Sequence, residues 1–307
     1  MKQIILLLLF IQITFITRAQ EFDVYYLSVA SAHYEKENIP DGYESFDDIN
    51  GARRSSRYVH ELFSNKSNGK GSMLRSEAGK PVTKTMIVRE IKAMIKLAKK
   101  SKAKNPLLLF YYCGHGISEG IAWNQFLVPG DFNKKPKNLS NDPLALDLDK
   151  LSSELLYLGE ITDLFSESGI QYMCLIDACY EGKEEKFSVL ENYLSTTATQ
   201  NFKDIASVLR FMNEYRTNNP VVFATMPGTT TKVTIDPLFP EGTSIGPLCR
   251  KLMLIGEKLE KLETLSMMDV VMLLSDPEFD TNEETRKVMS NYEFDSKGLF
   301  TLLKQKQ

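Results

Sequence analysis

The sequence predicts an α/β protein: a three-layer α/β/α sandwich on a mostly parallel sheet. Three observations carry that expectation. Short apolar runs rich in β-branched and aromatic residues recur along the chain. Stretches with helical apolar spacing separate them. No internal repeat, Gly/Ser linker or low-complexity tract divides the 307 residues, which points to one domain. The composition, 43% hydrophobic and 25% charged, is that of an ordinary globular protein. A formal net charge of -3 gives no bulk electrostatic reason to bind nucleic acid or anionic lipid.

The elements follow in order. Lys2, the apolar run Ile4 to Phe10 and its weaker continuation to Ile16 precede small residues Thr17 and Ala19, which reads as a secretory signal peptide over residues 1–19. Gln12 and Thr14 break the run, and its clean part is shorter than the roughly 20 residues of a spanning helix. The expectation is a secreted or periplasmic protein with no stable membrane insertion. Buried strands are expected at Val24 to Ala30, Leu107 to Tyr112, Tyr172 to Ala178 and Val221 to Thr225. Helices are expected at Ile49 to Phe63, Val82 to Lys100, Leu155 to Phe165, Ile245 to Leu262 and Met267 to Leu274, with a last strand from Gly298 to Leu303. The lysines at 92, 96, 99, 100, 102 and 104 read as the solvated face and C-terminal end of the second helix, where cations suit the dipole. Residues 181–219 form a polar insertion between two core strands. Of the four cysteines, Cys174 and Cys249 read as buried small hydrophobes, since a large core needs no disulfide staples.

In open parallel sheets, sites form at the carboxyl ends of strands. One predicted strand runs into Cys113-Gly-His-Gly116 and another into Asp177-Ala-Cys-Tyr-Glu-Gly182. If the two are neighbours, His115 and Cys179 face each other across one crevice. A thiolate can then attack a peptide carbonyl while an imidazole moves the proton. Backbone N–H groups at Gly116 and Cys179 are the candidate oxyanion donors. His115 is one of only three histidines, and neither His33 nor His60 has a comparable setting.

Tyr111-Tyr-Cys-Gly-His-Gly116 resembles the Tyr-x-Ser-Gly-His-Gly motif of the caspase-like peptidases, and Asp177-Ala-Cys-Tyr-Glu-Gly182 resembles their Asp-x-Cys-x-Ser/Arg-Gly motif. Phe126 to Asp131, Phe223 to Gly228 and Gly242 to Leu252 look like further segments of that fold. The resemblance implies the caspase-haemoglobinase fold over residues 20–262, with residues 263–307 as a helical extension of the same domain. It implies Cys179 as nucleophile and His115 as proton shuttle, acting on peptide or protein substrates without a cofactor. It also implies Asp177, Cys113, Thr231 and Lys232 as substrate-binding residues. Metacaspases and paracaspases carry an acid at the position of Asp177 and cut after Arg or Lys, so a basic preference is expected.

The sequence departs from those relatives in two places. Their second pocket acid, in an Asn-Asp-Ala motif, meets Asn50-Gly51-Ala52 here, with Asp47 or Asp48 as replacements in a shifted register. Their serine two residues before the histidine is Cys113 here. Cys113 reads first as a small pocket-lining residue, and a reversible Cys113–Cys179 disulfide holding the enzyme off is one further hypothesis. Self-cleavage after a basic residue of the insertion (Lys183, Lys186, Lys203, Arg210 or Arg216) is a second. Some metacaspases need calcium; acids at Asp131, Asp142, Asp147, Asp149, Glu184 and Glu185 match no calcium-loop spacing. Two rival readings stand beside the endopeptidase: an inactive member of the fold that only binds peptides or proteins, and an asparaginyl-type peptidase or transpeptidase with the same dyad.

Overall fold

The apolar runs fold as strands and the amphipathic stretches as helices between them. The computed structural model describes residues 21–119, 124–137, 153–180, 218–224, 234–235, 244–282, 284–290 and 296–305. In chain order these form β1 (Asp23–Ala30), β2 (Tyr43–Glu44), α1 (Ala52–Lys66), β3 (Asn68–Arg75), α2 (Lys84–Lys100), β4 (Pro106–Glu119), β5 (Asn124–Leu127), β6 (Lys135–Pro136), β7 (Leu156–Tyr157), α3 (Leu158–Ser168), β8 (Gln171–Tyr180) and β9 (Val221–Phe223). There follow β10 (Thr234–Ile235), β11 (Ser244–Ile245), α4 (Pro247–Leu259), β12 (Thr264–Ser266), α5 (Met267–Ser275), β13 (Met289–Ser290) and β14 (Thr301–Lys304).

The main sheet has the order β13-β9-β8-β4-β1-β3. Neighbours from β9 to β3 are all parallel, and β13 closes one edge antiparallel to β9. Side chains along a strand alternate between faces, and the core divides accordingly. Leu107, Leu109 and Tyr111 of β4 join Met173 and Leu175 of β8 under α1 and α4. Leu108, Phe110 and Tyr112 join Tyr172, Cys174 and Ile176 under α2 and α3. The result is the expected α/β/α sandwich. From β1 the chain moves to β3 on one side, whereas β4, β8 and β9 build the other way. The switch point therefore lies between the carboxyl ends of β1 and β4, where open α/β sheets bind ligands.

Local chemistry sets the helix ends. The Thr83 hydroxyl accepts from Met86 N, so α2 starts at Lys84 rather than Val82. Pro247 occupies the first turn of α4, which leaves Ile245 outside it. Leu156 and Tyr157 pair with β5, so α3 starts at Leu158, and it stops at Gly169, whose φ is 71°. Lys92, Lys96, Lys99, Lys100, Lys102 and Lys104 are exposed on α2 and just past its end.

Residues beyond 262 hold more than a helix. β12 pairs with β14, β13 joins the main sheet, and 3-10 turns lie at Glu284–Lys287 and Ser296–Leu299. Leu265, Met267, Val270, Leu274 and Leu303 share the core beneath α4. Two cations of α4 fasten this segment. The buried Lys251 Nζ donates to the carbonyls of Leu274 (2.7 Å) and Asp276 (2.6 Å) at the end of α5, and burial pulls its pKa down to about 8. Arg250 grips the buried Asp280 through Nε–Oδ2 at 2.6 Å and Nη2–Oδ1 at 3.3 Å. Among the described residues no helix is long and apolar enough to cross a membrane; residues 1–20 lie outside them.

Candidate active site

β4 and β8 are adjacent and parallel, and their register sets His115 directly opposite Cys179. Both residues lie inside paired strands rather than on turns. β4 continues past the histidine and pairs with β5, so Gly116 sits between Tyr180 on one side and Leu127 on the other. Gly114 serves packing: a Cβ there would come within 2.4 Å of the Tyr112 hydroxyl. The side chain of Cys179 lies outside the described residues, as do Thr231, Lys232, the basic residues of the insertion and, of the acids considered for calcium, all but Asp131.

His115 is held at every polar point of its backbone. Its N–H donates to the Tyr34 hydroxyl (2.8 Å), which itself donates to the Ser31 carbonyl. Its carbonyl accepts from Val128 N (3.0 Å) and lies 3.1 Å from the Tyr112 hydroxyl, whose single proton it shares with the nearer Val128 carbonyl (2.7 Å). The buried ring lies between Tyr34 and Phe46, with centroids 5.0 and 4.9 Å away. Burial raises the Tyr34 phenol above its ordinary range, so this hydroxyl stays neutral. Nε2 lies 2.9 Å from the carbonyl oxygen of Asp47. A carbonyl can only accept, so Nε2 carries the proton and the lone pair of the neutral ring is on Nδ1. The ring therefore has one basic nitrogen, and a backbone carbonyl fixes which one it is.

Asp177 is buried, and its carboxylate accepts three hydrogen bonds. The Tyr111 hydroxyl donates at 2.8 Å, Cys249 N at 3.0 Å and Leu248 N at 3.2 Å. The last two belong to the first turn of α4, so Asp177 ties β8 to the N-terminus of that helix. Burial raises its pKa to about 6, against the lowering effect of these donors. Gly246 makes the approach feasible, because a Cβ there would lie 2.1 Å from Asp177 Oδ2.

Cys113 is opposite Asp177 in the register and is buried, and Cys174 and Cys249 are buried too. Gly51 packs its Cα against the backbone of Ser244; a Cβ would be 2.6 Å from that carbonyl oxygen. The position therefore has no room for a second acid. Of the two suggested replacements, the Asp48 carboxylate holds His33 Nδ1 at 2.8 Å and Tyr34 N at 3.2 Å, whereas Asp47 is exposed and meets His115 through its backbone carbonyl. Asp131 accepts weakly from Lys84 N, and among the described residues no cluster of His, Cys, Asp and Glu forms a metal site.

Sequence reasoning missed Tyr34, Phe46 and the Asp47 carbonyl. The signal that finds Tyr34 is its place just past the carboxyl end of β1, at the switch point. Nothing in the sequence marks a backbone carbonyl.

No family model and no curated protein sequence matches the chain. Among solved structures it is similar to the Drosophila initiator caspase Dronc, with a TM-score of 0.44 and 9% identity over 84% of this chain and 74% of that one.

Proposed function

We propose that the chain is a cysteine endopeptidase of the caspase-haemoglobinase type with a Cys179/His115 dyad. The observation that carries this reading is the register of β4 and β8, which pairs the two residues, together with the Nε2–H tautomer that leaves Nδ1 as the basic nitrogen. In the proposed reaction Cys179 Sγ attacks the peptide carbonyl carbon and its proton passes to His115 Nδ1. The new C–S bond pushes the carbonyl electrons onto oxygen, where backbone N–H groups at Gly116 and Cys179 would receive the charge. Collapse breaks the C–N bond as the imidazolium protonates the leaving amine. Water, deprotonated by His115, then attacks the thioester, and cleavage of the C–S bond restores the thiol. The substrates are peptides or proteins, after export to the periplasm or the medium.

Cleavage after Arg or Lys is the first specificity proposal. It rests on Asp177, two residues before the nucleophile and largely ionised above pH 6. One observation favours a second reading. Three of the roughly four lone-pair positions of that carboxylate are already used by Tyr111, Leu248 and Cys249. A carboxylate so occupied has little left for a substrate cation, which suits a neutral side chain at the scissile bond. A fluorogenic peptide library differing only in that residue decides, with wild type run beside Cys179→Ala under reducing conditions, with and without calcium. Turnover limited to Arg and Lys peptides supports the acidic pocket. Turnover of Asn or small-residue peptides supports the second reading. No turnover, with no labelling of Cys179, leaves a peptide-binding module.

A further inference from the structure

The segment after β1 does more than cover the histidine. From Ala32 to Ile49 the chain leaves the sheet and returns; β2 within it pairs with β6, and one carboxylate joins the two ends near the histidine. Asp48 Oδ2 holds His33 Nδ1 at 2.8 Å, and Oδ1 accepts from Tyr34 N at 3.2 Å with Lys36 Nζ at 3.4 Å. Lys36 Nζ also donates to the Phe46 carbonyl at 2.6 Å, and Ile49 N donates to the Ala32 carbonyl at 2.9 Å. The bracket therefore encloses Phe46 and Asp47. These supply the ring 4.9 Å from the imidazole and the carbonyl 2.9 Å from Nε2. The two strands of the bracket also share Tyr34, whose backbone binds Asp48 and whose hydroxyl binds His115 N.

We propose that Asp48 is a positioning residue for His115: by closing this bracket it presents the Asp47 carbonyl to Nε2 and so selects the tautomer with its lone pair on Nδ1. The consequence for catalysis rests on the dyad reading above; the consequence for the ring does not. Without the bracket the carbonyl drifts, the imidazole can protonate on Nδ1 instead, and the imidazolium loses an acceptor. The base then becomes weaker and is partly in the wrong tautomer. Displacements of about 1 Å at such a group can cost about 100-fold in rate. The titratable and charged groups around the ring are Tyr34, His33, Lys36 and Asp48 from the segment after β1, Tyr112 and Cys113 from β4, Cys179 opposite in register, and Lys135 over the Phe46 ring at 5.1 Å. Of these, Asp48 and its partner Lys36 act on the segment that carries the acceptor of Nε2–H, and Asp48 joins both of its ends.

The test uses the whole chain labelled with 15N-histidine, whose three histidines are assigned by single substitution. Long-range nitrogen–proton correlation spectra report each ring's tautomer, and a titration reports its protonation. In wild type, neutral His115 is expected as the Nε2–H form. In Asp48→Ala a substantial Nδ1–H population appears and the ring protonates at lower pH. In the peptidase assay kcat falls 10- to 100-fold, KM is nearly unchanged, the His115-governed limb of the pH profile moves to lower pH, and the preference at the scissile bond is unaltered. Asp48→Asn keeps the shape and an acceptor for Tyr34 N, so it serves where Asp48→Ala fails to fold and should show the same changes at reduced size. A shift of tautomer in a protein without peptidase activity would retain the positioning role and remove the dyad reading. An unchanged His115 tautomer and pH profile in a folded Asp48 variant would overturn the proposal, and so would an altered preference at the scissile bond with unchanged kcat.

Discussion

Gly246→Ala tests the strut between β8 and α4. The added methyl group would lie 2.1 Å from Asp177 Oδ2, 2.4 Å from Cγ and 2.6 Å from Oδ1. None of these atoms belongs to a loose side-chain end, because the carboxylate is buried and held by Tyr111, Leu248 and Cys249. Accommodating the methyl group requires the carboxylate and the first turn of α4 to separate, which breaks both backbone bonds. A hydrogen bond to a charged group is worth roughly 1.5–3 kcal/mol, so losing the pair costs about 3–6 kcal/mol. The assay is urea unfolding, with the midpoint and slope compared with wild type. Gly42→Ala is the control: its Cβ meets nothing within 4 Å, and its φ of 86° confines the cost to backbone strain, about 1–2 kcal/mol. A Gly246→Ala protein no less stable than the Gly42→Ala control would refute the strut.

Three further outcomes follow from the same contacts. A carboxyl raised from 3.8 to about 6 stabilises the fold fully below its ordinary pKa and loses that contribution as pH rises through 6. The stability of wild type relative to Asp177→Asn should therefore decline by up to about 3 kcal/mol from pH 4 to pH 7, and a pH-independent difference in paired unfolding curves would contradict it. Arg250→Met strands the buried Asp280 and should cost about 3–5 kcal/mol, most of it recovered when Asp280→Leu is added; equal losses in the single and double variants would count against that pair. Gly51→Asp, which introduces an acid at this position, should destabilise by about 1–3 kcal/mol through the Ser244 carbonyl and bring no gain on Arg or Lys peptides; a stable variant with enhanced turnover of those peptides would show that the loop adapts.

Much of this architecture is legible in the sequence because burial writes itself as apolar runs. β1, β4, β8 and β9 lie inside the core, and each is a short stretch of Val, Leu, Ile, Tyr and Phe. β3 is not legible. Its sequence Asn-Gly-Lys-Gly-Ser-Met-Leu-Arg has the chemistry of a loop, yet it pairs with β1 through all eight residues as an edge strand. None of its eight residues is fully buried, so no apolar pattern is required of it. His115 and Cys179 could be singled out because reactive residue types at strand ends are rare. Asp177 was equally visible, but its three donors come from residues 66 to 72 positions away in sequence. The bracket of Asp48 was hidden for another reason. Its working group on the histidine is the carbonyl of Asp47, and every residue has one.

The most direct measurement is mapping of covalent adducts after exposure to a peptide bearing a thiol-directed electrophile. The account predicts a single adduct on Cys179, lost in His115→Ala, while the buried Cys113, Cys174 and Cys249 stay unmodified in the native protein. An adduct on another cysteine, no adduct under reducing conditions, or equally rapid labelling of Cys179 without His115 would contradict the dyad.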